Sequence, residues 1–177
     1  MGIDVGVGKS ENENILKAGS EAAGDALKKL GQDADVLIAF GAPSYNQQEL
    51  LDGITNTSGE TPLIGGTTAR EISTLGLSIN SVVVAALSLG GMDFGVGAGR
   101  NISGGEEKIG EMLASGLLEE ISGENAKSLM VFPDGLAGDG LKIVRGCQNV
   151  RGDDFEMIGG ALGDEQISGR CSSTTTE

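Results

Sequence analysis

Apolar residues along this chain fall into short β-branched runs separated by stretches that carry a helical stripe. The first run, Ile3 to Gly8, leads into Ser10-Glu11-Asn12-Glu13, where serine and glutamate stand at capping-box spacing. A helix is predicted from that point, with Ile15, Leu16, Ala22, Ala23, Ala26, Leu27 and Leu30 on its apolar stripe and Gly31 as its stop. Val36-Leu37-Ile38-Ala39-Phe40 is an unbroken apolar run, the mark of a strand covered on both faces, and Gly41 and Pro43 end it. A shorter helix from about Gln47 to Thr55, with Leu50, Leu51 and Ile54 inward, leads to a strand at Pro62-Leu63-Ile64-Gly65-Gly66.

The same order returns about 92 residues later. Phe94-Gly95-Val96-Gly97 reads as a strand, and Ser103 with Glu106 as a second capping box opening a helix with Ile109, Met112, Leu113 and Leu117 inward and Gly123 as its stop. Leu129-Met130-Val131-Phe132 then matches Leu37 to Phe40, and Glu156-Met157-Ile158-Gly159-Gly160 matches Pro62 to Gly66. Between the copies, Val82 to Leu89 and Met92 to Gly97 flank Gly90-Gly91, the pattern of a tight antiparallel hairpin. The fold class expected is α/β: two pseudo-repeated β-α-β-α-β units forming a mixed, mainly parallel sheet flanked by helices. Residues 1–167 form one domain, with a first repeat of about 1–90, a truncated second repeat of about 91–167, and a polar tail over 168–177.

Charge changes the picture by exclusion. Acidic residues outnumber basic ones 26 to 12, and a net charge of −14 is unfavourable for binding nucleic acid or an anionic membrane surface. No apolar run reaches the ~20 residues of a membrane span, and the N-terminus lacks the pattern of a signal peptide. Cys147 and Cys171 lack zinc or redox spacing, so a reducing cytoplasm is the expected compartment. With no histidine at all, the chain lacks the commonest general base and the commonest nitrogen ligand for metals. No cofactor, no metal and no enzymatic activity are expected.

Three segments are candidates for chemistry. Gly8-Lys9-Ser10 has the end of a P-loop, but the first glycine of that motif is out of register, and a helix cap is the simpler role. Gly65-Gly66-Thr67-Thr68-Ala69-Arg70-Glu71 follows a buried strand and puts hydroxyls, a guanidinium and a carboxylate within five residues, either as a ligand loop or as a plain turn. Phe132-Pro133-Asp134-Gly135-Leu136-Ala137-Gly138-Asp139 is a turn with a helix cap or a backbone cradle for an anionic or zwitterionic group. A rival reading makes Asp134, Asp139, Asp164 and Glu165 the acid-base or magnesium-holding groups of an enzyme, and another makes the chain a protein-interaction module.

Taken together, Leu37 to Tyr45, Gly65-Gly66-Thr67-Thr68-Ala69-Arg70-Glu71-Ile72, Phe132-Pro133-Asp134-Gly135-Leu136 and Gly159-Gly160-Ala161-Leu162-Gly163-Asp164 resemble the N-terminal part of the FIST domain, named for F-box and intracellular signal transduction proteins. The similarity runs from about Ile3 to Asp164, and Gly-Gly-Thr-Thr-Ala-x-Glu-Ile is its most specific element. It implies a sensory input domain of intracellular signalling proteins that binds a small ligand such as an amino acid. The family usually has glycine where Arg70 stands, so that residue is not carried over from the family. The last strand of the second copy and the C-terminal half of the family's domain pair are not in this sequence.

The expected ligand site gathers the strand-end loops: Ser44, Tyr45, Gly66, Thr67, Thr68, Arg70, Glu71, Asp134, Gly135, Asp139 and Asp164, at the carboxyl ends of the strands where α/β sheets collect ligands. Expected partners are that small molecule, the FIST C-terminal half or a signalling output domain, and a second copy through the edge the truncated repeat leaves open.

Overall fold

The computed structural model describes residues 2–121 and 127–163, which fall into two compact units divided between Met92 and Asp93. In the first unit the chain runs β1 (Asp4–Ser10), α1 (Ile15–Leu30), β2 (Val36–Gly41), α2 (Gln47–Ser58), β3 (Leu63–Thr67), β4 (Glu71–Ser73), β5 (Gly76–Ser78) and β6 (Val82–Ser88). The second unit holds α3 (Glu106–Glu120), β7 (Ser128–Val131), α4 (Gly140–Arg151) and β8 (Glu156–Gly159).

The sheet of the first unit has the order β1-β6-β2-β3. β6 is antiparallel to both β1 and β2, and only β2 and β3 are parallel. The sheet is therefore mixed but not mainly parallel, because β6 returns against the direction of its neighbours and inserts between them. That insertion also overturns the expected hairpin. With β1 and β2 on its two edges, β6 has no edge left for residues 92–97, which form no strand although Gly90 and Gly91 make the turn with φ of 62° and 82°.

Both helices pack on one face of this sheet. Val84 and Ala86 of β6 lie in register with Ala39 and Leu37 of β2, and these four join Val82, Leu63, Leu50, Ile54 and the α1 alanines 18, 22, 23 and 26 in the core. The nearly complete burial of Leu37, Ile54 and Leu63 contributes about 1.5–3 kcal/mol each by removing apolar surface from water. On the opposite face Ile38 and Phe40 are only partly buried, so β2 is not covered equally on both sides. The helices cross with their backbones touching: a Cβ on Gly19 would meet the carbonyl oxygen of Leu50 at 2.5 Å.

Both predicted capping boxes are replaced by other caps. Ser10 is the last residue of β1, paired with Val82, so α1 starts later, capped by Asn14, whose Oδ1 accepts from the N–H of Lys17 at 2.9 Å. α3 starts after Gly105, and the Ser103 hydroxyl donates to the carbonyl of Ala137 instead of to its own helix. Gly123, the expected stop of α3, lies outside the described residues.

The second unit contains a parallel strand pair, β7 with β8, and two helices in contact. Several of its details match the first. Gly146 lies against the backbone of Glu107 and Glu111 as Gly53 lies against that of Leu16. Gly159 has φ 150° beside the carbonyl of Val131, and Gly65 has φ 144° beside that of Ala39. The strand expected at Phe94–Gly97 is absent as a ladder, but Gly95, Gly97 and Gly99 still run along α3 against Leu117, Leu113 and Ile109. No helix among the described residues is long and apolar enough to cross a membrane.

Candidate functional site

Because β1, β2 and β3 run in the same direction, their carboxyl ends meet at one end of the sheet. The ladder places Ser10, Val82, Gly41 and Thr67 in a row across the four strands. Four connections rise from this row: Glu11–Asn14, Ala42–Asn46, Thr68–Arg70 and the Asn80–Ser81 approach to β6.

Glu71 organises the centre of this end. It is 2% exposed, and each carboxylate oxygen is held: Thr68 Oγ1 donates to Oε1 at 3.0 Å and Ser81 Oγ to Oε2 at 2.6 Å. Ser78 Oγ lies 2.8 Å from Ser81 Oγ, so the network fastens the β4–β5 hairpin to the start of β6. A buried carboxylate is tolerated here because hydroxyl donors replace its water. Beside it, Tyr45 donates its phenolic hydrogen to the carbonyl of Asn80 at 2.6 Å, and Ser44 Oγ donates to Asn80 Oδ1 at 3.1 Å. Asn80 has φ 51°, a left-handed conformation that asparagine adopts more readily than most residues. Burial raises the pKa of the Tyr45 phenol, and the negative charges of Glu71 and Glu11 raise it further.

The β1 side adds another carboxylate. Ser10 Oγ donates to Glu21 Oε2 at 2.6 Å and Asn12 Nδ2 to Oε1 at 2.9 Å. The Ser10 hydroxyl first, and then the Asn12 amide, hold the Glu21 carboxyl below its ordinary range against a smaller opposing effect of desolvation, with Lys17 assisting. Lys9 pairs with Glu11 at 2.8 Å.

Of the predicted residues, Ser44, Tyr45, Gly66, Thr67, Thr68, Arg70 and Glu71 all belong to this end of the first unit. Thr67 is buried, Arg70 is exposed, and Thr68 donates its N–H to the carbonyl of Gly41 at 3.1 Å. Gly66 pairs with Phe40 and, with Gly65, lines a small, half-open cleft between α2 and the β2–β3 edge, where Gln47, Leu50, Leu51 and Ile54 form the far wall. The closeness that glycine permits at position 65 is to the neighbouring strand. Ser10, Glu21, Ser78, Asn80 and Ser81 were missed as site residues, since a polar cluster before a strand signals only a turn.

Asp134, Gly135 and Asp139 lie in the second unit. Asp134 Oδ1 accepts from the N–H of Leu136 at 2.8 Å, Gly135 donates its N–H to the carbonyl of Leu162 at 3.1 Å, and Asp139 caps α4 through the N–H of Leu141 at 3.0 Å. Asp134 and Asp139 thus serve their own turn and helix start, and Gly135 ties its loop to the segment after β8. Nearby Glu106, nearly buried, is held below the ordinary carboxylate range chiefly by its own backbone N–H and that of Gly104. Burial opposes this shift, while the Asp139 N–H and the charge of Lys142 assist it. Asp164 and Glu165 lie outside the described residues. Among the described residues no three His, Cys, Asp or Glu side chains come together as a metal site would require.

The family model of the FIST N domain matches residues 35–176. The chain belongs to the FIST N domain family. FIST domains are associated with signal transduction, which is compatible with a sensory role. The match takes in β2 and the loops after β2 and β3, so most of the Glu71 network lies inside the family's own boundaries, whereas β1 and α1 precede them. No curated protein matches the chain. Two solved structures of FtsZ from M. jannaschii, an empty dimer and a point mutant, align at 22% and 24% identity. The alignments cover 48% of this chain and 26% of the FtsZ chain at a TM-score of 0.33, so the chain spans about a quarter of the length of those proteins.

Proposed function

We propose that this FIST N domain is a sensory module with no chemistry of its own, and that it binds a small ligand bearing an ammonium group, such as an amino acid, at the carboxyl ends of β1, β2 and β3. The observation that carries this reading is the strand-end rim itself, where Thr68 and Ser81 hold both oxygens of the buried Glu71 carboxylate and Ser44 and Tyr45 are tied to Asn80, a carboxylate-centred polar end that suits an ammonium. Glu71, buried and bonded, sets the rim; Ser44, Asn80 and Glu11 stand at its surface, and exposed Arg70 is the group suited to a carboxylate. The proposed setting is the cytoplasm, where the buried free thiol of Cys147 is stable, and the proposed partners are a FIST C-terminal half or a signalling output domain.

A thermal-shift series tests this. Ligand at about 100 times its dissociation constant adds ~2.7 kcal/mol of stability. The expected result is a shift with a free amino acid, a smaller one with the matching amine that lacks the carboxylate, and none with the N-acetyl derivative. Equal shifts with free and N-acetylated forms would refute the ammonium site. Arg70→Ala should reduce the preference for the amino acid over the amine.

We also infer that the second unit is a reduced copy of the first. What supports this is the repetition of unusual details: parallel pairs β2–β3 and β7–β8, helices touching through Gly19 with Gly53 and Gly110 with Gly146, and strand glycines 65 and 159 at matching φ. Such close approaches demand glycine at specific positions and do not arise from a general α/β pattern.

A further inference from the structure

The β4–β5 hairpin has two faces of opposite character. Its register sets Glu71 across from Ser78 and Ile72 across from Leu77, and successive residues of a strand point to opposite sides. Glu71 and Ser78 therefore share the inner face, where both are buried and where Thr68 and Ser81 hold the carboxylate. Ile72 and Leu77 share the outer face, 83% and 63% exposed. Leu75 in the turn and Ile79 just past β5 add two more exposed aliphatic side chains. Ser73 Oγ accepts from the N–H of Leu75 at 3.1 Å and closes the turn. A two-stranded hairpin is marginal by itself, and this one is held through its inner face without use of the aliphatic side chains outside. Single exposed aliphatics are ordinary on a protein surface, but four on one short hairpin form a patch of the kind that marks a contact.

Charge narrows the partner. The chain carries 26 acidic and 12 basic residues, yet the stretch from Ile72 to Met92 contains neither kind. A strongly basic partner is drawn to the acidic residues elsewhere and not to this face. A hairpin made for a membrane surface carries basic and aromatic side chains, which residues 72–79 lack. Two copies of a chain with a net charge of −14 repel each other wherever their carboxylates come together, and at the outer face of the hairpin they meet with none between them. The face is also self-complementary. A two-fold axis parallel to the strands sets Ile72 of one copy against Leu77 of the other and the reverse, giving two equal contacts.

We propose that the outer face of the β4–β5 hairpin joins this chain to a second copy of itself, with Ile72 of each packed on Leu77 of the other and Leu75 and Ile79 flanking the contact. One hairpin face is smaller than the roughly 800 Å² per partner of a standard interface, so the pair is a weak one, with a dissociation constant between about 1 µM and 1 mM. The contact uses only the outer face, while Glu71 stays on the inner one, so the inference does not depend on the ligand reading.

Sedimentation of the full chain, without ligand, at concentrations up to about 1 mM tests this. The expected average mass rises toward that of a dimer. Ile72→Ser together with Leu77→Ser should weaken association at least tenfold while the circular-dichroism melt remains that of the parent chain, since both residues are exposed. Ile3→Ser together with Val5→Ser, at two other exposed apolar positions, should leave association unchanged. In a mixture of isotope-labelled and unlabelled chains, filtered NMR should show methyl contacts between Ile72 of one copy and Leu77 of the other. A chain that stays monomeric throughout, association that survives the hairpin substitutions or is lost equally with those at Ile3 and Val5, methyl contacts that map elsewhere, or a monomer that binds neutral lipid vesicles through the hairpin would each overturn the proposal.

Discussion

At Gly65 the fold depends on the absence of a single carbon. Its φ of 144° is one that L side chains rarely adopt, and an added Cβ would run into the carbonyl oxygen of Ala39 on the adjacent strand. Gly65→Ala should therefore cost about 3 kcal/mol in urea unfolding. Gly159→Ala should destabilise the second unit by a similar amount through Val131; an unchanged Gly159→Ala protein would remove the main support for a duplication. Glu21 gives a pH-dependent counterpart. Its folded pKa lies below the unfolded value of 4.5, so its contribution to stability is fully present above 4.5 and is lost as the pH falls through the folded pKa. Ser10→Ala removes the largest cause of that shift, and carboxyl NMR should show the Glu21 midpoint rising toward 4.5. Cys147 behaves in the opposite sense: burial pushes its thiol pKa up, and the thiol donates to the carbonyl of Gly110. Mass-resolved labelling at pH 8 should find it far slower to react in the folded chain than in urea.

At the level of elements, the strands and helices with long apolar periods were legible in the sequence, and their ends were not. Ser10 reads as a helix cap because local spacing favours it, yet seven paired residues along β6 hold it in a strand, and Asn14 takes over the cap. Phe94–Gly97 reads as a strand, yet a strand exists only with a partner, and β6 has none to spare. The β4–β5 hairpin was invisible for a different reason: Ile72 and Leu77 pair with each other but remain exposed, so they leave no buried pattern. Its anchor is instead the Glu71 carboxylate. Glu71→Ala removes the shared acceptor of the Thr68 and Ser81 hydroxyls, leaving Ser81 only Ser78 Oγ as a partner, and should cost about 2 kcal/mol. Hydrogen exchange should then speed up over Glu71–Ser78 while α1 and β2 remain protected. Uniform loss of protection would mean that the network supports the whole unit and not the hairpin alone.

For the molecule as a whole, the candidate loops Ser44–Tyr45 and Gly66–Glu71 could be located from the sequence, because glycine, hydroxyl and charged residues directly after an apolar run mark a strand's carboxyl end. Which of them face a ligand was not legible. Burial makes Glu71 a holding group, and Asn80 and Ser81 enter the site only through the ladder that brings β6 beside β2. A small ammonium-bearing molecule is proposed to settle on this end of the first unit. An NMR titration of the full chain with the amino acid that gives the largest thermal shift measures it most directly. Saturable shifts are expected at the amides of Thr68, Asn80 and Ser81 and at the Tyr45 ring, abolished by Glu11→Gln together with Arg70→Ala. Shifts that cluster elsewhere in the chain, or that survive the double substitution unchanged, would contradict it.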